Sequence, residues 1–194
     1  MPSLPETAIE LQRMAGLFPA GRATLILGDE ATKPTFLQSH PDRYRILAFS
    51  THALMAGQLP GLSEPAIVLT PDGKSEWDGL LTASDVAALE MDADLVILSA
   101  CNTAAPDGGP FADGFSGLAR AFLHAGARSL LVSNWSIASD ATVELTTGFL
   151  TALRQSSSVR RAEALQTSML KLLDSDEARY THPGFWAPFV VVGD

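Results

Sequence analysis

The run Leu95-Val96-Ile97-Leu98 contains no polar residue that could mark a solvent-facing side. The strand it predicts, Leu95 to Ala100, is therefore buried on both faces, the condition of a strand inside a largely parallel sheet covered by helices on each side. Where this run gives way to the polar loop Asn102-Thr103 stands Cys101, the only cysteine in the chain. The carboxyl ends of strands are where an open α/β sheet carries its working residues.

The rest of the chain alternates between strand and helix patterns. Residues 5 to 17 space Ile9, Leu11, Met14 and Leu17 as a helix, and Ala23 to Leu27 reads as a short strand ending at Gly28. A short helix broken by Pro34 is predicted over 30–39, a buried strand over Tyr44 to Phe49, and another over Ala66 to Leu69. Thr82-Ala83-Ser84-Asp85 places a hydroxyl three residues ahead of a carboxylate, a helix start. Phe115, Leu118, Ala119, Phe122 and Leu123 recur on one helix face that Gly126 stops. A strand over Ser129 to Val132, helices over 139–154 and 159–173, and a closing strand over Phe185 to Val192 complete the pattern. Strands separated by helices specify an α/β fold with a mostly parallel sheet. With 194 residues and no long linker, a single domain is expected over 1–194, without a second one.

Charge and composition remove several classes of function. Thirteen basic against 22 acidic residues give a net charge of −9, the wrong sign for holding phosphate backbones, so nucleic acid is not expected as a partner. No apolar run approaches the ~20 residues of a membrane span. The opening residues Met1 to Glu6 show no export signal, which together with the lone cysteine reads as cytoplasmic. The histidines, His40, His52, His124 and His182, have no paired ligand spacing, so neither a metal nor another cofactor is expected. Gly114-Phe115-Ser116-Gly117 misses the nucleophile-elbow spacing by one residue, and no phosphate-cradling glycine motif occurs.

What remains is a thiol and an imidazole at two strand ends. Ile46, Leu47, Ala48 and Phe49 run into Ser50-Thr51-His52, so His52 stands after one strand as Cys101 stands after another. An imidazole that accepts a thiol proton makes a nucleophile of a group otherwise mostly protonated at neutral pH. The separation is close to the roughly 50 residues found between His and Cys in caspases. Taken alone, the pair also fits an inert core cysteine and a loop histidine, since free cysteine is among the most buried residue types.

The strings YRILAFSTHAL around His52, DGLLTASDVAAL at 78–89, ADLVILSACNTA around Cys101, GLARAFLHAGARSLLVSNW at 117–135 and the closing HPGFWAPFVVVG resemble, in this order, the CHAT domain. This is a caspase-like family of clan CD cysteine peptidases found mostly in bacteria. The resemblance implies a caspase-like three-layer αβα sandwich, matched here in its C-terminal two-thirds. It implies Cys101 as nucleophile and His52 as general base and leaving-group acid, with an oxyanion held by the backbone N–H groups of Cys101 and Ala53. Ala53 stands where many members have glycine. Ser133, Asn134 and Trp135 are implied to pair with an extended peptide and offer it an aromatic wall. Ser99 replaces the acidic residue that relatives cutting after basic residues carry two positions before the cysteine, leaving Asp140 or Asp113 as the carboxylate for such a pocket.

Family domains carry a further strand-rich section ahead of the matching part, often behind tetratricopeptide (TPR) helical repeats. The expectation is thus a shortened or excerpted domain, with a protein substrate, a possible TPR partner or domain and a possible homodimer through a sheet edge. The setting implied is bacterial regulation or defence. Two alternatives stay open: a non-catalytic interaction module of the same fold, and a small-molecule thiol hydrolase or acyltransferase with a closed pocket.

Overall fold

The computed structural model describes residues 4–75, 77–99, 117–135, 139–155 and 158–193. At its centre β1 (Ile46–Ser50), β5 (Leu95–Ser99), β6 (Ser129–Ser133) and β7 (Phe189–Gly193) form a sheet in the order β1-β5-β6-β7. The first three run parallel and β7 returns antiparallel to β6. Every residue of β5 and β6 is buried, as the unbroken apolar run of β5 requires.

Alternate residues of each strand feed two separate cores. Leu95, Ile97 and Leu131 face one side, where Met14 of α1 (Pro5–Gly16), Leu145 and Phe149 of α5 (Ser139–Gln155) and Leu165 of α6 (Arg161–Leu173) close over them. Val96, Leu98, Leu130 and Val132 face the other, against α3 (Ala83–Ala87) and α4 (Gly117–His124). Phe36 of α2 (Lys33–Gln38) joins that core edge-on to Phe49, their ring centres 5.3 Å apart. The result is a mixed α/β, three-layer αβα sandwich with a mostly parallel sheet, the caspase-like architecture expected.

Two glycines make this packing possible. A Cβ on Gly148 would come within 2.5 Å of Ser168 Oγ, so its absence lets α5 and α6 approach closely, with Ser168 donating to the Leu145 carbonyl. Gly126 has φ +108°, and a Cβ there would meet the Met91 carbonyl oxygen at 2.2 Å. It ends α4 as the sequence indicates.

Several elements differ from expectation. Ala23 to Leu27 forms no strand, because no backbone among the described residues pairs with it in a ladder. Pro34 stands at the first turn of α2, where its missing N–H is harmless, so it starts that helix rather than breaking it. The closing strand begins only at Phe189, since Pro183–Phe185 form a 3-10 turn. A second sheet was not foreseen: β2 (Ala53–Leu54), β3 (Ala66–Val68) and β4 (Leu80–Thr82) pair antiparallel in chain order. Strands of two or three residues are too short to display an alternation.

Candidate active site

The parallel strands end level with one another, and each ends in serine. Ser50 is the register partner of Ser99, while Leu98 pairs with Val132, so Ser133 follows on the next rung. His52, Cys101 and Trp135 each stand two residues beyond one of these serines. The structure thus sets Ser50, Ser99 and Ser133, each two residues ahead of a position that the sequence singled out, at one end of adjacent strands. Cys101 itself, together with Asp113, lies outside the described residues.

His52 is half-buried between β1 and β2, and its carbonyl accepts from the Val68 N–H at 2.9 Å. Thr51 beside it donates to the Val68 carbonyl at 2.7 Å. With Ala53 paired to Ile67 and the His52 carbonyl bonded to Val68, Ala53 occupies a non-hydrogen-bonded position of the ladder. Its N–H is therefore turned away from β3. Among the described residues the only non-glycine with positive φ is His40, so alanine at 53 fits its backbone without strain.

The residues expected to meet a peptide divide. Ser133 is buried within the β6–β7 ladder opposite Phe189. The Asn134 N–H already donates to the Pro188 carbonyl at 2.9 Å. Trp135 is 42% exposed and can act as a wall. Asp140 binds Arg179 at 2.6 Å and accepts from the Tyr180 hydroxyl, which leaves its carboxylate committed rather than waiting for a basic side chain.

One group escaped the sequence reading. Glu10 is 2% exposed, and its Oε2 accepts from Ser50 and, at 3.1 Å, from Ser99, while Oε1 accepts from Thr146 of α5 at 2.8 Å. Burial pushes its carboxyl above the usual carboxylate range, against the downward pull of the three hydroxyls. The signal was its helical spacing, since Glu10 lies on the same stripe of α1 as Met14 and Leu17.

A cavity of about 1280 Å³ adjoins His52 on the outer side of β1, lined by residues 21–28 on one wall and 43–52 on the other. Among the described residues no three His, Cys, Asp or Glu side chains converge as metal ligands, and no helix is long and apolar enough to cross a membrane.

A family model described as the CHAT domain matches residues 1–194. The chain is also 35% identical to tetratricopeptide repeat protein 28 of Mus musculus and 34% identical to that of Homo sapiens, in each case over 114 residues. These alignments cover 59% of this chain and only 4% of either relative.

Proposed function

From the premise that this chain belongs to the CHAT domain family, we propose that it is a caspase-like cysteine endopeptidase working through Cys101 and His52. The observation that carries this reading is the Ser50–Ser99 register, since it sets the segments leading to His52 and Cys101 side by side on adjacent parallel strands.

In the proposed cycle His52 takes the thiol proton and the sulfur of Cys101 attacks a peptide carbonyl carbon. The negative oxygen is held by the N–H groups of Cys101 and Ala53; the outward turn of the Ala53 N–H supports that role. Collapse breaks the C–N bond, the imidazolium gives its proton to the leaving amine, and a thioester remains. Water then loses a proton to His52 and attacks the thioester. The acid product leaves and the thiol is restored. Ser133, Asn134 and Trp135 mark the adjoining strand end. With Ser133 buried and the Asn134 N–H engaged, Trp135 is the part of that segment suited to a substrate side chain. The substrate is a protein, and the carboxylate commitments of Asp140 argue against strict selection of arginine or lysine through that residue.

A second reading, a non-catalytic interaction module, draws support from the relatives: the matched region is a small part of proteins named for their tetratricopeptide repeats. A repeat domain or repeat-bearing partner fits either reading. A homodimer through a sheet edge would use the outer side of β1 or of β7.

Incubating the protein and its Cys101→Ala variant with a peptide library, with cut sites read by mass spectrometry, separates the two. Cleavage by the wild type alone is the expected result. Silence from both proteins would favour the interaction module.

A further inference from the structure

We propose that Glu10 is a positioning residue for the dyad, a buried carboxyl that sets the relative height and spacing of the two strand ends from which His52 and Cys101 extend. The inference rests on the peptidase reading above and adds a residue from a different element to it.

The register between β1 and β5 runs as far as Ser50 and Ser99. Beyond that rung, each working side chain is two residues away. At this place one oxygen of Glu10 accepts from both serines, and the other accepts from Thr146. A single carboxyl thereby joins α1, β1, β5 and α5. It is buried on the side of the sheet where Met14, Ile97 and Leu145 form the core, where burying a carboxyl is costly and a methionine would pack without that penalty. Fully partnered polar networks of this kind fix one arrangement where apolar packing tolerates several. A nucleophile and its base need such definition, because a misplacement near 1 Å costs on the order of a hundredfold in rate.

Glu10 acts on the dyad through the strand-end serines that it holds, so its effect is expected on the dyad's proton equilibrium. Cys101 is the chain's sole thiol, which makes iodoacetamide labelling report on it alone, and Cys101→Ala supplies the blank. Labelling rate against pH is measured for the wild type, E10Q, E10A and H52A, with near-ultraviolet circular dichroism on each.

Glutamine preserves shape and keeps an oxygen for Ser50 and Ser99, while its amide N–H can donate to Thr146, whose own proton goes to the Thr142 carbonyl at 2.9 Å, so E10Q should keep the wild-type midpoint. E10A should move the midpoint toward that of an ordinary thiol, ~8.5, and slow labelling at neutral pH on the order of tenfold. A wild-type profile for H52A would overturn the dyad and this proposal with it. A shifted H52A beside a folded E10A of wild-type profile would overturn the role of Glu10 alone. Should E10A not fold, the double variant S50A/S99A removes two of the three contacts, and a wild-type profile there refutes the proposal equally.

Discussion

Glu10 occupies the stripe of α1 that faces the core, while Ile9 beside it is 47% exposed. That inversion of ordinary preference gives stability a pH dependence whose sign follows from burial. The folded-state pKa is raised by desolvation, opposed by Ser50, Thr146 and Ser99. The folded protein therefore holds the proton at pH values where the unfolded chain, titrating near ~4.3, has released it. The contribution is fully present below that range and is lost as pH rises through the folded-state pKa. Glu10→Gln cannot titrate, so its urea midpoint should rise relative to the wild type between pH 4.5 and pH 8. A difference between the two proteins that stays constant across this range would contradict the assignment. The hydroxyls of Ser50 and Ser99 act against this shift, since each favours the charged form that burial disfavours.

At the scale of elements, α3 shows how little chain can still be firmly placed. Its five residues are too few to be stable alone. They are held by the box in which Thr82 accepts from the Asp85 N–H at 3.2 Å and Asp85 accepts from the Thr82 N–H at 2.9 Å. Val86 supplies a fully buried anchor, and Lys33 reaches across from α2 to Asp85 at 2.6 Å. Burial raises the Asp85 carboxyl, but Lys33 and Thr82 outweigh it and hold it below the usual range. This stabilisation is present above the ordinary aspartate pKa and is lost as pH falls through the folded one. Thr82→Ala should cost about 1 kcal/mol in denaturant unfolding at neutral pH. A loss below a few tenths would mean that packing alone holds the turn. Because Thr82 also closes β4 against Ala66, this cap belongs to the sheet that carries Ala53. The cap was visible as a short motif, whereas β2 and β4 were not, since their pairing depends on contacts distant in sequence.

Across the whole molecule the two ends of the sheet differ in kind. Arg45, Asp92, Asp94 and Arg128 form an ion-pair cluster where β1, β5 and β6 begin, and the serines stand where they end. The two sides also differ, because β5 is paired on both edges while β1 has the 1280 Å³ cavity along its outer one. Amides of β1 should therefore exchange with deuterium at least about tenfold faster than those of β5; equal protection would mean that the cavity wall of residues 21–28 closes on the strand. The sequence alone determined the layers: an apolar run without a polar face demands a sheet covered on both sides, and the helical spacings of 139–154 and 159–173 supply the cover. It also placed His52 at a strand end, because an abrupt change from apolar to polar residues is a local signal. Tertiary structure decided what lies between those elements. The strand expected at 23–27 had the right residues but no ladder partner among the described residues, for a ladder requires a second backbone. That Ser133 is buried was likewise decided by β7, which pairs beside it. Only the meeting of α1, β1, β5 and α5 gave the Glu10 carboxyl three hydroxyl partners; partnership between residues 40 to 136 positions apart is a property of the fold and not of any segment.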